Sequence, residues 1–213
     1  DLILLTVASL TEPKGHRTLL NALPKLRERY PCVRLVWAGD GPLKTELQAQ
    51  AEKLDVATAV QMLGYRNDAP DLLRAADLVV APSLAEGLCS SLIDAMLAHT
   101  PIVATAAGGI PELVGAGVVP GERLNRQPVA LLAKSNDPES LLAAMLNALD
   151  NPAQAQSLAK AAYARASERF TADQMVSQTI GVYEELLCAS AEFPRLSRDT
   201  AAAARVNAER KTA

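Results

Sequence analysis

The sequence predicts an α/β fold, a doubly wound parallel sheet of about six strands finished by C-terminal helices. Three observations carry that expectation. Short apolar runs alternate with stretches of helical spacing, the signature of βαβ units. Hydrophobic residues make up 49% of the 213-residue chain and aromatic residues only 3%. The core must therefore be built from Leu, Val, Ile and Ala, as where helices cover a buried parallel sheet. Finally, four of the strand-like runs lead into small or phosphate-friendly residues, the loop chemistry found at the carboxyl ends of such sheets.

The elements follow in order. Leu2 to Val7 is strand-like, and Leu19, Leu23, Leu26 and Tyr30 then recur at helical intervals. Pro24 inside that stretch is expected to kink the helix or force a restart. Val33 to Ala38 is a second strand, ended by Gly39-Asp40-Gly41-Pro42, and Leu43, Leu47 and Leu54 mark the next helix. Ala59 to Leu63 is a short strand, Leu72 to Ala76 a short helix, and Asp77 to Ala81 a strongly strand-like run closed by Pro82-Ser83. A helix from about Ser90 to Ala98 precedes the strand Pro101 to Thr105, the Gly108-Gly109 turn, a short helix Ile110 to Val114 and a last strand Val129 to Leu132. The whole reads as a Rossmann-like sheet. From residue 133 the chain is helical: Asp137-Pro138 and Asn151-Pro152 each supply an N-cap followed by Pro at the first helical position. Thr171-x-x-Gln174 is a capping box ahead of a further helix. We read 1–189 as one domain and 190–213, rich in Ala and Arg, as a tail that is frayed helix or disordered, with a binding element as the alternative.

Composition excludes several function classes. Net charge is −3, with no Lys/Arg block before the tail, which argues against nucleic acid. Cys32, Cys89 and Cys188 are scattered and odd in number, reading as reduced thiols of a cytoplasmic protein. With only His16 and His99 there is little material for a histidine metal site or a Ser-His-Asp triad. The opening strand lacks a basic leader, and no apolar stretch is long enough to span a membrane. The expected location is the cytoplasm.

The loops with chemistry are Ser9 to Gly15, Gly39 to Pro42, Ser83 to Ser91 and Thr105 to Gly109. Gly87 permits close backbone approach to a ligand. Ser90 and Ser91 can cap a helix whose free N–H groups and dipole favour phosphate. Glu86 precedes that helix and Asp94 lies eight residues on, about one turn inside it, so both carboxylates can face one crevice at different depths. The deeper acid suits ribose hydroxyls and the loop acid sugar hydroxyls. Both also complement the helix dipole, which is worth about 0.3–1 kcal/mol each without any ligand. Lys14 opposes the dipole of the helix it precedes, an unfavourable position unless it serves a ligand. His99 reads as a left-handed C-cap, Cys89 as packing, Asp40 as a turn residue and Glu112 as a first-turn acid.

Taken in order, these segments resemble a known family. Glu86-Gly87-Leu88 through Asp94-Ala95-Met96, then Pro101-Ile102-Val103-Ala104-Thr105 and Gly108-Gly109-Ile110-Pro111-Glu112, are similar to the signature of family 4 glycosyltransferases with the GT-B fold. Val7-Ala8-Ser9-Leu10 with Lys14-Gly15, Ala38-Gly39-Asp40-Gly41-Pro42, and Ala75-Ala76-Asp77 with Pro82-Ser83 match as well. The resemblance runs from about residue 3 to 188. It implies the C-terminal, donor-binding half of a two-domain enzyme that retains anomeric configuration, needs no metal and takes a UDP- or GDP-sugar. The acceptor, a sugar or lipid-linked glycan, would be bound mainly by an N-terminal domain absent from this chain, without which the half is expected to be inactive. Bacterial polysaccharide or lipopolysaccharide synthesis is the usual setting, and association with the inner face of the membrane would come through the absent half. By the same resemblance, the donor site comprises Ser9, Lys14, Gly39, Gly41, Glu86, Gly87, Leu88, Ser90, Ser91 and Asp94, with Glu86 and Lys14 as the catalytic pair.

Three positions depart from the family's pattern. Ser9 stands where many members carry Arg, removing half of a cationic clamp. Asp94 is one methylene shorter than the usual Glu. His99 replaces a helix-ending Gly. Two other readings stay open: a non-catalytic nucleotide-sugar-binding module, and a GT-B relative with epimerase or phosphorylase chemistry.

Overall fold

The computed structural model describes residues 1–116 and 128–189. The proposed 190–213 tail lies outside the described residues. By packing, the chain divides into Asp1–Thr171 and Ala172–Ala213. Within the second unit the described part is one helix, α8 (Ala172–Ala189), which begins directly after Thr171.

The first unit is the α/β domain. Its strands are β1 (Leu2–Val7), β2 (Val33–Ala38), β3 (Val60–Gly64), β4 (Leu78–Ala81), β5 (Ile102–Thr105) and β6 (Leu131–Ala133). They form one sheet in the order β3-β2-β1-β4-β5-β6, and every pairing is parallel. This order is that of a doubly wound Rossmann-like sheet, whose winding reverses between β1 and β4 and opens a crevice at their carboxyl ends. The expected fold class is thus borne out.

The helices are α1 (His16–Arg29), α2 (Lys44–Lys53), α3 (Ala69–Ala75), α4 (Ser90–Leu97), α5 (Ile110–Leu113), α6 (Pro138–Asp150) and α7 (Pro152–Arg169). Neighbouring strand residues point to opposite faces and enter two cores. Leu4, Leu35, Trp37 and Val80 pack with Leu19, Leu23 and Leu26 of α1, Leu47 of α2 and Met145 of α6. Leu5, Val36, Val79 and Ala104 pack with Leu73 of α3, Leu92 and Met96 of α4 and Ala162 of α7.

Three local expectations need correction. α1 runs unbroken through Pro24. A proline inside a helix costs about 3 kcal/mol, but Leu19, Leu20, Leu23 and Leu26 are all fully buried and each such side chain contributes about 1.5–3 kcal/mol, so tertiary packing carries the helix past it. Asp137 caps α6 as expected, accepting from the Ser140 N–H at 2.9 Å. Asn151 does not cap α7 with its side chain. That residue also ends α6, and its Nδ2 is spent on the Asn147 carbonyl (3.0 Å) and Oδ1 (2.9 Å). Finally, Ser90 and Ser91 sit inside the first turn of α4, with Cys89 at the N-cap and no side-chain cap bond.

Candidate functional site

The site grows from the loops that leave β1 and β4, on either side of the point where the winding reverses. After β1 a 3₁₀ turn (Glu12–Lys14) ends at Gly15, whose φ of 68° is left-handed. A β-carbon there would stand 1.9 Å from the Pro82 carbonyl oxygen, so only glycine lets the β1 loop press against the β4 loop. The N–H groups of Leu84 and Ala85 bond the Pro13 carbonyl at 2.7 and 3.3 Å. Across this seam Lys14 Nζ meets Glu86 Oε1 at 2.6 Å, and the Ser83 hydroxyl donates to the same oxygen at 2.9 Å. The Glu86 side chain is only 7% exposed.

Glu86 is backed by the turn after β5. Gly108, at φ 51°, would place a β-carbon 1.8 Å from the Glu86 carbonyl oxygen, and the Gly109 N–H bonds that oxygen at 3.2 Å. Beyond Glu86 the chain enters α4. The Leu92 N–H is taken by the Cys89 carbonyl at 3.0 Å, but without a side-chain cap the N–H groups of Ser90 and Ser91 and the positive dipole end remain available to an anion. The Ser91 hydroxyl lies 3.6 Å from Cys89 Sγ, and burial raises that thiol's pKa.

These groups open onto a cleft of about 670 Å³. Its wall includes Ser9, Lys14, Gly39, Glu86, Leu88, Ser90, Ser91 and Asp94, bringing together eight of the ten positions expected from sequence. Gly41 packs against Leu10 instead, and Gly87 is exposed with nothing within 4 Å of a β-carbon built on it. Ser9 points its hydroxyl at Thr11 Oγ1, 3.2 Å away. Partial burial raises the pKa of Asp94. Asp40 accepts from the Gly41 N–H at 2.8 Å and also lines the cleft.

Residues 1–165 match the family described as glycosyl transferases group 1. The chain belongs to that family. It is 33% identical to the glycogen synthase of Mycobacterium tuberculosis over 182 residues, covering 84% of this chain and 42% of that protein. It is 31% identical to the MMP alpha-(1->4)-mannosyltransferase of Mycolicibacterium hassiacum, covering 86% of this chain and 43% of that protein. Among solved structures it is similar to HepE of Anabaena in complex with UDP-glucose, with TM-score 0.72, 27% identity, and coverage of 85% of this chain and 49% of that one. The chain thus spans less than half the length of these relatives.

The group 1 cleft also has a wall that the sequence reading missed. Tyr65 and Arg66, in the loop after β3, line it beside Asp40. Tyr65 is 83% exposed. Arg66 holds Asp68 through Nε at 2.7 Å and through a second contact from Nη2, which lowers the Asp68 pKa. A bare aromatic directly after a strand and its glycine was the available signal. The cleft wall therefore carries Lys14 and Arg66 against Asp40, Glu86 and Asp94, with Lys14 already on Glu86 and Arg66 on Asp68.

Two histidines stand apart from the chemistry. His16 is buried beneath the β1 loop, edge-on to Trp37 at 4.8 Å between centroids. Burial, and then the Lys14 charge, lower its pKa to about 4. His99 follows α4 at φ 58°, the left-handed cap expected of it, and stacks on Tyr163 at 3.9 Å.

Proposed function

We propose that this chain is the donor-binding, C-terminal half of a family 4 GT-B glycosyltransferase that moves a sugar from a nucleoside diphosphate sugar to an acceptor with retention of configuration. The observation that carries the reading is the convergence of Lys14, Glu86, the uncapped start of α4 and Asp94 on one cleft at the switch point. Such a cleft suits a phosphorylated ligand, because a helix start and a lysine both complement negative charge. Asp94 would bind ribose, and Tyr65 and Arg66 would border the base. Lys14 would leave Glu86 for the diphosphate, stabilising the charge that develops on the departing nucleotide. Glu86, freed of its partner, would then accept hydrogen bonds from the donor sugar.

The reaction needs no metal in this proposal. An N-terminal domain would supply the acceptor site and close the cleft, and this half alone would be inactive. The UDP-glucose complex of HepE favours UDP over GDP as the nucleotide. A cytoplasmic role in bacterial polysaccharide or lipopolysaccharide synthesis is the setting we propose, with membrane association arising in the other half. Among the described residues no helix is long and apolar enough to cross a membrane.

Calorimetric titration with UDP, GDP and ADP in chelator tests the reading, with Lys14→Ala and Asp94→Ala as controls. Selective binding of one diphosphate is expected, weakened by about 1.5–3 kcal/mol in Asp94→Ala. Binding unaffected by either change would remove both residues from the site. No binding by the full-length protein would reject the donor reading.

A further inference from the structure

Arg165 is a charged side chain on α7 that is 6% exposed and does not line the cleft. Its Nε donates to the Leu113 carbonyl at 2.7 Å and its Nη2 to the Glu112 carbonyl at 2.8 Å. Those are the closing residues of α5, a single turn. The last carbonyls of a helix have no intrahelical N–H partner, and a cation there also meets the negative end of the helix dipole. The turn also closes on its own backbone, the Val114, Gly115 and Ala116 N–H groups reaching the Ile110, Glu112 and Pro111 carbonyls at 3.0, 3.1 and 2.7 Å. Arg165 adds from another helix a donor for the Leu113 carbonyl and a further one for Glu112.

The other end of α5 abuts the cleft. Gly109 precedes its first residue, and the Gly109 N–H holds the Glu86 carbonyl at 3.2 Å. Gly108 and Gly109 approach so closely that β-carbons on them would fall 1.8 Å from the Glu86 oxygen and 2.2 Å from the Gly87 oxygen. The start of this loop has its own anchors. The hydroxyls of Thr105 and Ser135 donate to the Ser83 carbonyl at 2.5 and 3.3 Å, and Pro13 holds Leu84. The backbone of Glu86 and Gly87, by contrast, leans on the turn that begins α5.

We propose that Arg165 is a positioning residue of the cleft: by pinning the end of α5 it holds the Gly108-Gly109 turn against Glu86 and Gly87. It thereby sets where the Glu86 carboxylate and the entry to α4 stand relative to Lys14. The proposal rests on the donor-site reading above for its functional meaning, but its mechanical part stands separately. Removing the guanidinium leaves the buried Leu113 carbonyl without this donor and the Glu112 carbonyl with backbone donors only, loosens the end of α5, and withdraws support from the loop that carries Glu86 and Gly87.

The test uses the full-length protein as Arg165→Met, which keeps the long apolar stem, and Arg165→Lys, which keeps the charge and a donor. Tyr163→Ala is the control, since Tyr163 shares α7 but stacks on His99. Hydrogen–deuterium exchange is followed by segment. Arg165→Met is expected to speed exchange in 83–91 and 105–116 by about tenfold relative to 2–29, with Arg165→Lys restoring part of the protection. Tyr163→Ala is expected to leave both segments as they were. In the same proteins, calorimetry with UDP-glucose and GDP-glucose should show about tenfold weaker binding of the accepted donor in Arg165→Met, partly rescued in Arg165→Lys.

Unchanged protection of 83–91, or a loosening no greater than that of 2–29, would overturn the positioning role. Loosening of 83–91 with donor affinity unaltered would overturn its connection to the cleft. If neither sugar nucleotide binds even the unaltered protein, the donor reading fails while the exchange data still decide the mechanical part. Should Arg165→Met not fold, Arg165→Lys against Tyr163→Ala carries the comparison.

Discussion

The two walls of the cleft are built on opposite principles. On the β1–β4 side, backbone presses on backbone at Gly15 and Gly108, and a largely buried ion pair joins the loops. On the β2–β3 side, Asp40, Tyr65 and Arg66 stand exposed on turns, tied by local pairs such as Arg66–Asp68. Interiors packed at crystal-like density do not deform gradually, so the first wall has one geometry. Exposed side chains reorient freely, so the second can adapt. The lesson is that at the end suited to phosphate and sugar the backbone is set before any ligand arrives, with the Lys14 side chain left to exchange partners, whereas the end we assign to the base is open to adjustment.

Glycine substitutions sharpen the contrast most. Gly108→Ala meets the Glu86 carbonyl and adopts a strained φ, so it is expected to cost more than about 3 kcal/mol in urea unfolding and to abolish donor binding. Gly64→Ala on the other wall has a similar φ of 71° but open space around it, and should cost only about 1–2 kcal/mol. Equal losses at the two positions would erase the distinction.

A pH series examines the ground beneath the rigid wall. His16 falls from 6.5 to about 4 in the folded protein, so between those values the unfolded chain binds more protons. Its contribution is complete above pH 6.5 and declines as pH drops towards 4, amounting to about 3 kcal/mol. Unfolding of the parent and of His16→Phe should therefore diverge across that window. Parallel curves would mean that His16 remains uncharged in the unfolded chain as well, or charges freely in the folded one.

Breaking the ion pair comes next. Lys14→Ala leaves Glu86 largely buried without its cation, at a cost of about 2–3 kcal/mol. It should weaken a nucleoside diphosphate far more than the parent nucleoside, and equal losses would take Lys14 off the phosphates. The smallest effect belongs to the adaptable wall: Tyr65→Ala should leave the melting temperature unchanged and weaken nucleotide binding by about 1 kcal/mol. A large drop in stability there would show that this wall is not adaptable after all.

The expectations that succeeded and failed follow the range of the forces involved. Strand runs such as Leu2–Val7, the Asp137 cap and the left-handed His99 depend on a few neighbouring residues, and all three were legible. Pro24 misled because the local rule was overruled by four leucines buried against the sheet. Asn151 misled because one side chain sits at two helix ends and can serve only one. Ser90 and Ser91 misled by one position, enough to turn supposed caps into first-turn residues and leave the helix start open. On the cleft, Gly39, Glu86 and Asp94 could be picked out from their spacing and the family resemblance, whereas the one signal for Tyr65 and Arg66 was an aromatic directly after a strand and its glycine, too common a pattern to mark a site.

By itself, then, the sequence determined the α/β class, the order of its elements and most of the loops that line the cleft, because apolar periodicity and turn residues act over a few positions. Only the tertiary structure decided that Lys14 pairs with Glu86, 72 residues away, that Tyr65 and Arg66 complete the cleft, and that Arg165 braces it from α7. Those relations arise where distant loops meet at the reversal of the winding, and close packing there is a property of the assembled sheet that no local pattern encodes.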